Sequence, residues 1–327
     1  MKHTGYILTF SLALLCCGQK AAKTAETATP AENVSASKAP VFNTDSAYSY
    51  VAAQTAFGPR TPNSSAHKAC AAWLASELER HGAKIYVQNA TLTAYNGDKL
   101  EASNIIGSFN PDNQRRILLF AHWDTRPYAD NETDAILQMQ PIDGADDGAS
   151  GVGVLLEAAR LLGASKPDVG VDIIFFDAED YGTPSFVEEH KPDTWCLGSQ
   201  FWAKNPHTPD YKAEFGILLD MVGARDATFY KEFTSVRYAS QYVERVWAAA
   251  RELGYGKFFI NAKGGAVIDD HQYVINGRRI PCLDIINYDS ETDSGFGAYW
   301  HTHKDNMSII DKSTLKAVGQ TILSVIY

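Results

Sequence analysis

From residue 41 onward, the apolar positions of the chain alternate between two periods. Four short runs are apolar at nearly every position, a composition typical of strands that are buried on both faces of a parallel sheet. The runs are RRILLFAHWDT at 115–125, VDIIFFDAED at 171–180, FGILLDMVG at 215–223 and IPCLDIINY at 280–288.

Three other segments carry apolar residues three and four positions apart, which predicts amphipathic helices at 63–82, 148–165 and 235–254. The first of them begins with a Ser-rich stretch and ends at a glycine, as helices often do. Because strands and helices follow one another in this way, we predict a single α/β domain over residues 41–327. Its central sheet should be mostly parallel, with helices on both faces.

The first 40 residues do not share this alternation. Residues 1–17 combine a short basic start with the apolar run YILTFSLALL, which is too short to span a membrane as a helix and is typical of an export signal. The residues before Cys17 are similar to the lipobox of bacterial lipoproteins, in which that cysteine is lipidated. Residues 18–40 have the composition of a disordered tether. We therefore expect an exported, periplasmic protein, either soluble or anchored to the membrane by a lipid.

Composition and charge narrow the classes of function. The net charge of the 327 residues is −10, and no cluster of Lys and Arg is present, so we expect no nucleic-acid partner. Beyond the leader there are three cysteines, Cys70, Cys196 and Cys282, without a CxxC pair. We expect them to be buried thiols rather than disulfides or zinc ligands. No segment suggests self-association, so we expect a monomer.

Polar residues follow three of the four predicted strands. His122 and Asp124 end the first, Glu179 and Asp180 the second, and Asp220 the third. Ligands of open parallel sheets bind at the carboxyl ends of the strands, so we expect these side chains to lie at one edge of the sheet.

The adjacent acids Glu179 and Asp180 raise a geometric problem. Successive residues of an extended chain point in opposite directions, so the chain must bend if both are to face one cleft. The sequence Asp180-Tyr181-Gly182 offers such a bend directly after them.

Two further segments carry candidate metal ligands, DGADDGASG at 143–151 and AYWHTHKDN at 298–306. Taken singly, each candidate has an ordinary structural explanation, because a lone histidine is usually a hydrogen-bonded residue and Asp-Asp-Gly is commonly a turn. Together, histidines and carboxylates without a thiolate are a donor set that suits a catalytic zinc. Their shared position at one sheet edge favours a metal site.

These segments resemble the M28 family of zinc aminopeptidases and, within it, the glutaminyl-peptide cyclotransferases, over nearly all of residues 43–327. The seven shared segments are AHWDTRP, DGADDGASGVGVLLEAAR, FFDAEDYG, WCLGSQFWA, GILLDMVGARDATF, VIDDH and YWHTHKDN. GADDGASG is more similar to the aminopeptidases. Three features are more similar to the cyclases: LLDMVGARDATF, IDDH and Trp300 directly before His301. More of the shared segments are similar to the cyclases, which favours a cyclase. A dinuclear zinc aminopeptidase is the alternative, and the intact ligand set disfavours a metal-free binding protein.

The resemblance implies a role for each candidate. Asp147, Asp180 and His301 would hold one Zn²⁺ per chain, and Glu179 would act beside it as acid and base. Other residues are implied in supporting roles: a hydrogen-bond relay of Asp220 and Asp269 around Glu179, and apolar walls from Trp300 and Trp195.

The two branches of the family differ at His122. In the two-zinc aminopeptidases, His122 and Asp220 would bind a second metal that Asp147 shares, and Asp124 would orient His122. In the cyclase interpretation, His122 is a bystander near the site.

The expected reaction is the conversion of N-terminal glutamine, in peptides or proteins, to pyroglutamate with release of ammonia. The α-amine of the substrate would attack its own γ-amide carbonyl while Glu179 moves the proton to the departing nitrogen.

Overall fold

A six-stranded mixed sheet lies at the centre of the computed structural model, which describes residues 39–189 and 191–327. The described residues form eight strands, of which β6 and β7 lie outside this sheet. They are β1 (Lys84–Thr93), β2 (Lys99–Phe109), β3 (Arg116–His122), β4 (Gly170–Phe176), β5 (Phe215–Asp220), β6 (Phe229–Lys231), β7 (Phe259–Lys263) and β8 (Cys282–Ile286). The helices are α1 (Thr44–Thr55), α2 (Ser65–Arg80), α3 (Ala135–Gln138), α4 (Ala149–Ala164), α5 (Leu197–Lys204), α6 (Phe233–Glu252), α7 (Asp270–Arg278) and α8 (Lys312–Ile326), with a 3₁₀ turn at Met307–Ile309.

The strand order of the main sheet is β1-β2-β4-β3-β5-β8. The four predicted strands, β3, β4, β5 and β8, pair in parallel with one another. The hairpin β1–β2 adds two antiparallel strands at one edge and was not predicted from the sequence. The remaining two strands, β6 and β7, form a separate small sheet. The predicted fold, a mostly parallel sheet in an α/β domain, is confirmed.

Helices cover both faces of the sheet, as predicted. Leu119 and Ala121 of β3 belong to the larger core cluster, which also contains buried residues of α1, α2, α4, α6 and α8. Leu118 and Phe120, which alternate with them, belong to a second cluster under α5 and α7. Because side chains alternate across a strand and both faces of β3 are buried, its sequence is a continuous apolar run.

The chain next to the predicted domain boundary contacts helix α8. Gln320 of α8 donates a hydrogen bond to the carbonyl of Pro40 at 3.1 Å, and Lys316 donates to the carbonyl of Phe42 at 2.6 Å. The export signal and most of the tether, predicted for residues 1–40, lie outside the described residues. Within the described part of the chain, no helix has the length and apolar character needed to cross a membrane.

Candidate metal centre and catalytic cleft

The candidate residues gather at the carboxyl edge of the parallel strands. His122 is the last residue of β3 and Asp220 the last of β5. The predicted strand over 171–180 ends earlier, at Phe176, so Glu179 and Asp180 lie in the following loop. The chain bends within the predicted segment, at Asp180 and Gly182, and it is already bent from Asp177, with φ of +52° at Ala178. The bend at Ala178 precedes both acids, and both acids line the cleft.

Asp124 holds this loop in place. Its Oδ1 accepts a hydrogen bond from the backbone N–H of Glu179 at 3.0 Å, and its Oδ2 accepts one from the N–H of Asp180 at 3.2 Å. The distance from Asp124 to Nδ1 of His122, the partner expected in the aminopeptidase interpretation, is longer at 3.5 Å. Asp124 therefore positions the Glu179–Asp180 backbone, a role that its sequence position did not indicate.

Asp305 holds the Asp147 loop in the same manner. Its two carboxylate oxygens accept from the N–H groups of Asp146 and Asp147, at 2.7 Å and 3.1 Å. Asp305 is fully buried. The sequence analysis quoted its segment but did not single it out. The loops of Asp147 and Asp180, two of the three that carry candidate ligands, are thus each fixed by a carboxylate from another part of the chain.

The candidate zinc ligands come together as expected. Asp147, Asp180 and His301 are all buried, and one ligand atom from each lies within 4.8 Å of the other two. Nε2 of His301 is 3.3 Å from Oδ1 of Asp180 and 3.8 Å from Oδ2 of Asp147. Oδ2 of Asp180 is buried and has no hydrogen-bond partner among the described residues. A buried carboxylate oxygen without a partner, beside an imidazole nitrogen, fits a metal ligand set of the zinc type.

Asp130 and Arg126 support this set from behind. Nδ1 of His301 lies 3.2 Å from Oδ1 of Asp130, which directs Nε2 toward the acids. Arg126 binds both oxygens of Asp130 and donates to the backbone carbonyl of Asp180 at 2.9 Å. Burial alone would raise the pKa of Asp130, but the hydrogen bonds from Arg126 and His301 outweigh it and hold that pKa below its usual value. Neither residue was predicted.

His122 contacts two of the candidate acids. Its Nε2 lies 2.9 Å from Oδ1 of Asp147 and 3.2 Å from Oδ1 of Asp220. The close approach needs a glycine at position 148, because a Cβ there would overlap the imidazole. His122, Asp147 and Asp220 have the spacing of a second metal site. Alternatively, they form a hydrogen-bonded group next to a single ion that is bound by Asp147.

Glu179 lines the cleft next to these groups. Its Oε1 accepts a hydrogen bond from the thiol of Cys196 at 3.0 Å, and Asp269 lies within 4.8 Å of both residues. Burial is the main reason why the pKa of Glu179 is raised well above its usual value; His122 opposes this effect, and Asp269 adds to it. Burial, together with Asp220, also raises the pKa of Asp269. The three predicted catalytic acids therefore share one poorly solvated region.

The cleft has a volume of about 280 Å³ and is lined by both predicted tryptophans. The ring of Trp300 stacks on His301 with centroids 3.7 Å apart, and Trp195 lies parallel to the same imidazole at 5.9 Å. A Cβ at Gly182 would overlap the Trp195 indole, so glycine is needed for that approach. The remaining lining residues include Met221, Ala266, Val267, Ile268, Ile286, Tyr288, Ser294 and Phe296. The walls are therefore largely apolar, and the acids lie together.

Other residues of types that can bind metals lie apart from the candidate zinc ligands. Nδ1 of His303 contacts Glu132 at 3.2 Å, and its side chain is 35% exposed. Glu188 and Glu189 are exposed, and His190 lies outside the described residues.

The family model for peptidase family M28 matches residues 104–326, which is more than half of the chain. The chain belongs to peptidase family M28. This M28 protein is 29% identical to the glutaminyl-peptide cyclotransferase of Bos taurus over 244 residues. That match covers 67% of this chain and 64% of the bovine protein, slightly less than two thirds of its length.

Several solved structures have a higher sequence identity to this chain than the bovine protein has. The crystal structure of Tannerella forsythia glutaminyl cyclase is 71% identical, with a TM-score of 0.87, and the match covers 88% of this chain and 99% of that one. A Zn-dependent exopeptidase from Parabacteroides distasonis is 67% identical, with a TM-score of 0.88 and the same coverage. This M28 protein is therefore similar to the glutaminyl cyclases of the family in both sequence and fold.

Proposed function

We propose that this M28 protein is a glutaminyl-peptide cyclotransferase that converts N-terminal glutamine of peptides or proteins to pyroglutamate and ammonia. The observation that carries the proposal is the 71% identity to the Tannerella forsythia glutaminyl cyclase across 99% of that chain. The cleft supports it, because a small space with apolar walls and a buried acid suits one neutral side chain that reacts with its own amine. An M28 aminopeptidase is less favoured.

Asp147, Asp180 and His301 would hold one zinc ion in this proposal. When bound, the ion would polarise the γ-amide carbonyl of the substrate as a Lewis acid. Two observations support this ligand assignment. Oδ2 of Asp180 has no hydrogen-bond partner among the residues that the structure describes, and Asp130 orients His301.

Glu179 would transfer the single proton that the reaction moves. The α-amine attacks the γ-carbonyl carbon, a C–N bond forms, and the amine loses a proton to Glu179. Glu179 then gives that proton to the γ-nitrogen, which leaves as ammonia when its own C–N bond breaks. No water is consumed, so Trp300 and Trp195 would serve to exclude it. Amine and carbonyl belong to one molecule, and such pairing contributes about 7–11 kcal/mol in favourable cases.

A glutamine-headed dipeptide amide tests the proposal. With zinc-supplemented protein, we expect stoichiometric ammonia and a pyroglutamyl product, with the peptide bond intact by mass spectrometry. The N-acetylated peptide is the matched control, because its blocked amine cannot attack. Release of free glutamine would instead identify the aminopeptidase activity.

The zinc count tests the role of His122. We expect one zinc per chain in the wild type and in His122→Ala, because His122 is not one of the proposed ligands. Activity should fall, since Asp147 and Asp220 lose the group that joins them. Elemental analysis after dialysis measures the ratio. Two tightly held ions in the wild type, with one lost in the variant, would favour the dinuclear aminopeptidase.

A further inference from the structure

Cys196 differs from the other two described cysteines because its thiol is hydrogen-bonded to Glu179, the proposed acid and base. It is fully buried, as are Cys70 and Cys282. The thiol of Cys282 donates only to a backbone carbonyl, that of Ile280 at 3.4 Å. The thiol of Cys196 donates to Oε1 of Glu179 at 3.0 Å. Across residues 39–189 and 191–327, no other side chain donates a hydrogen bond to the Glu179 carboxylate.

The backbone around Cys196 fixes the position of its sulfur. The N–H of Cys196 donates to the carbonyl of Glu179 at 2.9 Å, and the N–H of Leu197 donates to the carbonyl of Ala178 at 3.0 Å. Cys196 has φ of +57° and immediately precedes α5. The start of α5 is therefore hydrogen-bonded to the loop that carries Glu179, which keeps Cys196 next to this acid.

The surroundings of Cys196 are wrong for a nucleophile. Burial raises the pKa of its thiol well above the usual value, and the nearby acids Glu179, Asp270 and Asp269 raise it further. Reactive thiolates need positive neighbours and partial exposure, and Cys196 has neither. Its chemical contribution is that of a neutral, weak hydrogen-bond donor.

We propose that Cys196 is a positioning residue that holds Oε1 of Glu179 and leaves Oε2 free to exchange the proton with the substrate. The inference rests on the proposed function, because it assumes that Glu179 is the acid and base. Glu179 lines the cleft, and its Oε2 has no hydrogen bond within the described residues. A weak donor fixes the carboxylate rotamer in a dry pocket without adding a charge next to the ligand Asp180.

Steady-state kinetics on the glutamine-headed dipeptide amide test the inference. Cys196→Ala should lower kcat about tenfold, the scale of one buried hydrogen bond, with KM and zinc content little changed. Cys196→Ser keeps a donor at this position and should recover most of the rate. The matched control is Cys282→Ala, which removes a buried thiol away from Glu179 and should keep the wild-type kcat. If the alanine variant does not fold, Cys196→Gly, which tolerates the left-handed backbone, replaces it.

A double-mutant cycle separates positioning from packing. If Cys196 acts through Glu179, Cys196→Ala should cause no further loss in a Glu179→Gln background. A wild-type kcat in Cys196→Ala, or the same tenfold loss in both backgrounds, would overturn the inference. Absence of ammonia release by the wild type would instead overturn the proposed function. The cycle would then be measured on peptide-bond hydrolysis, where the same two outcomes decide the role of Cys196.

Discussion

Glu179→Gln should keep its zinc and lose about 100-fold or more in kcat for ammonia release, the usual scale for a positioned general base. Glutamine has nearly the same shape as glutamate, but its amide cannot take up the proton of the α-amine. The hydrogen bonds that Asp124 accepts from the backbone N–H groups of residues 179 and 180 do not involve the changed side chain, so the loop should stay in place. Kinetics on the glutamine-headed peptide and elemental analysis on the same preparation measure both effects.

The control for this variant is Glu189→Gln, which neutralises an exposed acid of the neighbouring loop and should be as active as the wild type. Loss of zinc from Glu179→Gln would contradict the assignment. It would mean that Glu179 is the ligand and that Asp180 is the acid and base.

His301→Ala should remove zinc and activity together while the fold remains. His301 supplies the only nitrogen of the proposed ligand set, and two carboxylates alone would bind zinc weakly. The two main core clusters lie on the faces of the sheet and do not contain this loop residue. Zinc content, ammonia release and the thermal unfolding midpoint are the measurements, and the midpoint should change by only a few degrees.

His303→Ala is the matched control, because His303 lies two residues away in the same loop and its ring is hydrogen-bonded to Glu132, not to the candidate ligands, within the described part of the chain. It should keep zinc and activity. Full zinc occupancy in His301→Ala, together with loss of zinc in His303→Ala, would transfer the ligand assignment to His303.

The sequence predicts the parts of the fold whose burial is uniform. Strands β3, β4, β5 and β8 are buried on both faces and are therefore apolar at nearly every position, so they could be recognised. The hairpin β1–β2 could not, because β1 is an edge strand with exposed and half-exposed residues throughout and no continuous apolar run. Its position depends on pairing with β2, which is a tertiary property.

The candidate site shows the same division. Acids and histidines at strand ends and in two loops marked the segments of Asp147, Asp180 and His301, and the resemblance to the M28 family implied these three residues as the ligand set. The roles of Asp124, Asp305 and Cys196 depend on which N–H groups and carboxylates the fold brings to them, and residue type does not reveal that. The bend at Ala178 was missed because alanine is not a residue that favours positive φ, whereas the glycine at 182 suggested a turn.

The carboxylates of Asp124 and Asp305 also connect the candidate ligands to one another. Asp124 follows His122 by two residues and fixes Asp180, while Asp305 follows His301 by four residues and fixes the backbone of Asp147. Each ligand loop is thereby tied to the segment that bears a different candidate ligand. The site is preorganised by the polypeptide itself, so a metal ion would enter a cage whose loop entropy has already been lost during folding. Its affinity would then reflect coordination chemistry rather than the ordering of chain.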